Sequence, residues 1–177
     1  MKADPSKSTD SVLYQGRYLR FLQDNDWEYV ERIKAMGIVA ILATTDTGKI
    51  LLVEQYRTPL RAHTIEIPSG VAGDLHGNER ETLSEAANRE LLEETGYLAE
   101  TIEYLTEGPV SAGLSTEIVT FFRAHGLTKS ADGAAPISEK IVVHEVDRKN
   151  LTAWLNEKHA EGKLIDYRIY AALYLGT

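Results

Sequence analysis

Between Glu81 and Tyr97 the chain reads Glu-Thr-Leu-Ser-Glu-Ala-Ala-Asn-Arg-Glu-Leu-Leu-Glu-Glu-Thr-Gly-Tyr, and its acids are the residues best placed to do chemistry. Ala, Leu, Glu and Arg favour helix, and Gly96 after the last periodic residue is a natural stop. On a wheel of about 100° per residue, with Glu90 at zero, Glu94 falls near 40° and Glu93 near 300°. Three carboxylates therefore share one arc, with Leu83, Ala86 and Ala87 on the same side one or two turns earlier. Such a run is often just a solvated acidic face. Here, however, Glu90 and Glu94 are like charges at i,i+4, which repel unless a cation lies between them. Small and apolar residues lead into the cluster, so the face is expected to look into a cleft. Hard divalent cations take carboxylate oxygens, and the pattern predicts a metal site.

The helix needs a scaffold. Val12 to Phe21 and Trp27 to Ile33, joined through Asp24-Asn25-Asp26, predict an N-terminal β-hairpin. A hairpin is not stable alone, so it packs on the chain or on a partner subunit. Gly37 to Thr44 predicts a buried strand, with Lys49 to Gln55 as its antiparallel partner across Thr45-Asp46-Thr47-Gly48. Thr64 to Ile67 is a short strand halted at Pro68-Ser69-Gly70, and 71–80 is the loop entering the helix. Ala99 to Thr106, Thr116 to Ala124 and Lys140 to Val146 predict further strands, with 125–137 as a loop. Asp147 is expected to cap a helix over 148–161, which Gly162 ends, and Leu164 to Leu175 to form the last helix. Residues 1–10 are expected to be a flexible terminus and 11–177 a single domain. The expected fold is α/β: an α/β/α sandwich with a mixed sheet plus the N-terminal β-hairpin.

Arg89-Glu90-Leu91-Leu92-Glu93-Glu94-Thr95-Gly96-Tyr97 resembles the second half of the Nudix box, and Glu81 stands eight residues before Arg89, the family's spacing. The departure is upstream. Where the family has a glycine, six residues before the glutamate, this chain has Leu75, and Gly73 lies two residues too far away. The loop is therefore expected to be enlarged. Glu54-Gln55-Tyr56-Arg57, Glu66-Ile67-Pro68-Ser69-Gly70, the Trp27 to Arg32 segment and Ser111 to Ser115 are similar to the branch that hydrolyses ADP-ribose and nucleoside diphosphate sugars.

That resemblance implies Mg²⁺, with Mn²⁺ as an alternative, bound by Glu90, Glu94 and Glu93 and by the backbone carbonyl of Ser69. It implies a late-loop base at Glu139, which also counts among the metal ligands, with Glu117 as the second candidate. Glu93 and Arg89 join Glu139 in the catalytic set. Arg89 is expected to brace the carboxylates by a bidentate pair. Glu81, near 180° on the wheel, is expected to orient loop or helix. Trp27 and Arg32 imply base stacking and a phosphate or ribose contact, across a homodimer sharing the 11–34 strands. Arg57 suits a phosphate, and Glu66, Gly113, Leu114 and Ser115 complete the implied substrate set. The five histidines carry no metal-ligand spacing and are read as structural or surface.

Composition agrees. With 177 residues, 43% of them hydrophobic, the chain can bury a proper core. Its net charge of −8 argues against a nucleic-acid or membrane-surface partner, and an anionic substrate would need cations as intermediaries. With no cysteine, thiolate chemistry and disulfides are excluded. No apolar window reaches the roughly 20 residues of a membrane span, and the polar start lacks a signal core, so a cytoplasmic location is expected. The expected activity is hydrolysis of the pyrophosphate bond of ADP-ribose or another nucleoside diphosphate sugar. The alternatives are a hydrolase of dinucleoside polyphosphates or nucleoside triphosphates, and a nucleotide-sensing module without catalysis.

Overall fold

The computed structural model describes residues 11–73, 81–130 and 141–176. At the N-terminus three strands, not two, form a separate antiparallel sheet: β1 (Ser11–Gln15), β2 (Leu19–Asp24) and β3 (Trp27–Arg32). The expected first strand, 12–21, reverses on itself because Gly16 donates its N–H to Leu19 O at 2.8 Å, closing a tight turn. Asn25, at φ 53°, supplies the left-handed residue of the two-residue turn between Asp24 and Trp27.

The body is built from two four-stranded sheets. One runs β7-β4-β9-β8, from β7 (Ser69–Ala72), β4 (Gly37–Ala43), β9 (Ile118–Lys129) and β8 (Tyr97–Pro109). The other runs β10-β5-β6-β11, from β10 (Val142–Asp147), β5 (Lys49–Arg57), β6 (Ala62–Glu66) and β11 (Leu164–Ile165). Both are mixed, through the parallel pairs β4–β9 and β6–β11. The Thr45–Gly48 turn forms as expected, but pairing of β4 with β5 stops at one bridge, Thr44 to Ile50. The two strands then part into different sheets.

Each of those strands is apolar on both faces, which suits burial between layers. Val39, Ile41, Ala43 and Leu51 face one core with Ala86, Ala87 and Leu91 of helix α1 (Leu83–Thr95). Ala40, Leu42, Ile50 and Leu52 face the other, with Leu151 and Leu155 of α2 (Leu151–Ala160) and Ile169 and Ala172 of α3 (Arg168–Leu175). The α/β/α layering is as expected.

Several boundaries move. Residues 69–72 are a strand, not the start of a loop, because β7 pairs with β4. Residues 125–129 continue β9, paired along β8. Asp147 makes no capping bond: it ends β10 opposite Lys49, a 3-10 turn takes 148–150, and α2 starts at Leu151. Leu164 and Ile165 leave the expected last helix to join the β6 edge, and α3 starts at Arg168. Two of the histidines have a structural role that spacing could not reveal. His144 Nε2 and Lys163 Nζ lie 3.1 and 2.7 Å from Glu54 Oε2, with His63 Nδ1 3.4 Å from Oε1, tying β5, β6 and β10 together. No helix among the described residues is long and apolar enough to cross a membrane.

Candidate active site

Helix α1 is closed at both ends by its own sequence. Thr82 accepts from Glu85 N while Glu85 accepts from Thr82 N at 2.7 Å, a capping box. Gly96, at φ 75°, returns its N–H to Leu92 O at 2.8 Å. With Ala86, Ala87 and Leu91 buried in the core, the acidic edge turns towards β7. There Ser69 N donates to Glu94 Oε2 at 2.9 Å. The next residue, Gly70, lies so close to Glu90 that a Cβ would stand 1.9 Å from its carboxyl carbon. Only glycine leaves that space. Gly70→Ala is expected to push the Glu90 carboxylate aside and lower turnover roughly a hundredfold, the scale of an ångström-level misplacement. Thermal melting should stay near wild type, since the displaced group is a side-chain tip; full activity in this variant would remove Glu90 from the site.

Arg89 braces the acids. Its Nε and Nη2 meet the two carboxylate oxygens of Glu81 at 2.9 and 3.1 Å, its Nη1 meets Glu90 at 2.8 Å and Glu93 at 3.1 Å, and Nη2 also donates to Val71 O. Glu81 thus orients Arg89 and does not stand with the trio. Among the described residues no three acidic or imidazole side chains are arranged to hold a metal ion as folded. Glu90 and Glu93 share the guanidinium.

The electrostatics single out Glu94. Two glutamates are deeply buried here, Glu66 at 2% and Glu94 at 7% exposure. Glu66 is surrounded by donors: Arg57 Nε and Nη2 at 2.7 and 2.5 Å, Arg168 Nη2 at 3.3 Å, and the Thr64 hydroxyl. Although burial works the other way, these bonds hold its carboxyl below the usual range. Glu94 is pushed up to about 8, first by burial and then by the charges of Glu90 and Glu66; Ser69 N–H and Arg57 offset only part of this. A carboxyl with that much positive potential missing suits a hard cation, so the residues present fit a divalent metal.

The remaining expected residues form a second group at the N-terminal sheet. Arg32 meets Glu117 Oε1 through Nε and Nη2, both at 2.8 Å. Val30 bridges to Ser115 and donates its N–H to Leu114 O at 2.9 Å, so the segment holding Gly113, Leu114 and Ser115 docks on β3 beside Arg32. Trp27 is 62% exposed on the same sheet. Arg57, expected on phosphate, is placed on Glu66. Glu139 and residues 74–80, where the enlarged loop is expected, lie outside the described residues. For two participants the sequence does not show the contact that matters. Gly70 is visible there as the end of the Glu66 to Gly70 run and Thr64 as a strand residue; the contact in each case is tertiary.

Comparison with known proteins agrees with this geometry. The NUDIX domain model matches residues 34–170. The chain is similar to the methanol dehydrogenase activator of Bacillus methanolicus, 39% identical over 63% of this chain and 58% of that one. It is 44% identical to an ADP-ribose pyrophosphatase of Bacillus subtilis, over 55% of this chain and 50% of that one. The chain thus spans about half the length of these two relatives. A GDP-mannose pyrophosphatase of Yersinia enterocolitica is 29% identical over 89% of this chain and 87% of its own. A solved structure of an ADP compounds hydrolase superposes with a TM-score of 0.70 at 18% identity, covering 94% of this chain and 88% of that one. With the match extending over most of its length, the chain belongs to the NUDIX domain family.

Proposed function

We propose that this protein is a divalent-metal-dependent hydrolase that splits the pyrophosphate bond of ADP-ribose or another nucleoside diphosphate sugar, giving a nucleoside monophosphate and a sugar phosphate. One observation carries the reading: Glu94 is buried among like charges while its neighbour Glu66 is saturated with donors. The pyrophosphatase names of two relatives support the substrate class. Glu90, Glu93, Glu94 and the Ser69 carbonyl would hold the metal, Mg²⁺ in the first instance and Mn²⁺ as its substitute. A bound dication supplies neutralisation of the diphosphate and a more acidic water.

The protein's own part is positional. Arg89 holds Glu90 and Glu93 through one guanidinium, and Ser69 N–H fixes one oxygen of Glu94, whose ionised form a bound cation would favour. Glu139 is the proposed base and Arg57 a proposed phosphate contact. One panel tests the reading: ADP-ribose, several nucleoside diphosphate sugars, a dinucleoside polyphosphate and a nucleoside triphosphate, each with Mg²⁺ and with EDTA. Release of monophosphate from the first two classes, abolished by EDTA, is expected; preference for either of the others overturns it.

Residues 11–177 are read as one domain working as a homodimer through the strands at 11–34. Every residue of β1 is exposed, and Val12, Tyr14 and Tyr18 are 51%, 70% and 62% exposed, a large apolar area for a sheet facing water. Light scattering is expected to give twice the 19.7 kDa of one chain. A monomer would remove Trp27 and Arg32 from a neighbour's site.

A further inference from the structure

Helix α1 lies across one face of the sheet β7-β4-β9-β8, where its buried residues share a core with Ala72, Val39, Phe122 and Tyr97, one from each strand. β7 and β8 are the two edges of that sheet, and side chains tie the helix to each. At β7 the ties belong to the acids and their brace: Ser69 N–H donates to Glu94, and Arg89, which holds Glu90 and Glu93, donates to Val71 O. At β8 the tie is Asn88. Its Oδ1 accepts from Ala99 N at 3.0 Å and its Nδ2 donates to Ala99 O at 3.4 Å. Along an antiparallel strand the two backbone groups of a residue turn alternately towards the paired strand and away from it. Those of Ala99 face the outer edge, and the Asn88 amide meets them as a further strand would. The match fixes the amide's orientation, because reversing it would set donor against donor and oxygen against oxygen.

Asn88 stands about 160° around the helix from Glu90. A turn of α1 by about 10° on its axis carries a carboxylate lying roughly 5–6 Å from that axis through about 1 Å. A misplacement of that size costs on the order of a hundredfold in rate. Apolar burial of Ala86, Ala87 and Leu91 resists such a turn only weakly, because it is non-directional, whereas hydrogen bonds have a preferred angle. A dication held by the acids would compete with their ties at β7; the tie at β8 involves no acid and no guanidinium. We propose that Asn88 is a positioning residue: fastened to the β8 edge, it sets the rotation of α1 at which Glu90, Glu93 and Glu94 meet β7, and keeps it when the acids turn to a metal. The inference rests on the reading of those acids as metal ligands.

The test compares Asn88→Ala with Glu85→Ala, which opens the capping box of the same helix and leaves Asn88 on Ala99. Each full-length variant is read in two ways: kcat and KM on ADP-ribose at saturating Mg²⁺, and the rise in melting temperature with Mg²⁺ when no substrate is present. Asn88→Ala is expected to lower kcat roughly tenfold, with KM within about twofold of wild type, and to need roughly tenfold more Mg²⁺ for the same rise, the lower end of what losing an outer support of a metal ligand costs. Glu85→Ala should melt earlier yet keep kcat and the Mg²⁺ requirement. Asn88→Asp keeps an acceptor for Ala99 N–H and lacks the donor, so it should fall between wild type and Asn88→Ala on both readouts, and it decides the matter should the alanine variant not fold. Unchanged kcat and Mg²⁺ requirement in the Asn88 variants, or an equal loss in Glu85→Ala, overturns the proposal. Failure of the hydrolase reading would show separately, as wild type that cleaves none of the diphosphates, and the Mg²⁺ titration would still decide the role of Asn88.

Discussion

Glu94→Gln is expected to lower turnover roughly a thousandfold, about 4 kcal/mol of barrier, with no loss of fold. Glutamine keeps the shape and can still accept from Ser69 N–H, but it cannot provide a second anionic oxygen to a dication. Its effect on stability distinguishes a metal ligand from an ordinary buried acid. In the metal-free protein the Glu94 carboxyl sits at about 8, raised from an ordinary 4.5. A raised value means that stability from the neutral form is complete below about 4.5 and is lost as pH climbs through about 8. Metal-free wild type should therefore melt at progressively lower temperature between about pH 4.5 and 8, relative to the variant, whose amide never ionises, and level off above that. Mg²⁺ should reverse that decline in wild type and leave the variant unmoved. Parallel melting curves across the range, or undiminished turnover, would sink the assignment of Glu94 to the metal.

Much of this site is legible in the amino-acid sequence. The helical wheel places Glu90, Glu93 and Glu94 on one arc, because that relation lies within one helix, where spacing dictates direction; Glu81 stands ahead of the N-cap Thr82, beyond the reach of the wheel. Gly96 ends the helix for a reason equally local. Relations between elements are not legible in the same way. The β5–β6 register brings Arg57 to Glu66, and no spacing reveals that register. Glu54, His63, His144 and Lys163 converge from four places in the chain for the same reason. The turn after β4 is plain from its residues, and its consequence is not. Turn chemistry says that the chain reverses; the apolar faces on both sides of β4 and β5 decide that each strand goes to its own sheet.

Loss of Arg89 should damage the fold. Its guanidinium is the cation lying between Glu81, Glu90 and Glu93, whose side chains are 9%, 12% and 33% exposed. Arg89→Met keeps length and apolar stem but leaves two largely buried carboxylates without their countercharge. Breaking one partner of such a buried pair costs about 3–5 kcal/mol, because the remaining charge is left uncompensated. For a domain of this size that is a fall in melting temperature of roughly 10 °C at neutral pH. Acid should narrow the gap, since carboxylates deprived of a cation protonate more readily. Mg²⁺ should also narrow it at neutral pH, because a dication beside Glu90 and Glu93 does part of what the guanidinium did. Turnover should fall even with saturating Mg²⁺, since nothing then holds Glu81 and Glu90 in register. A loss of only a degree or two, insensitive to both acid and Mg²⁺, would mean that the acids are solvated and that Arg89 is a surface ion pair like any other.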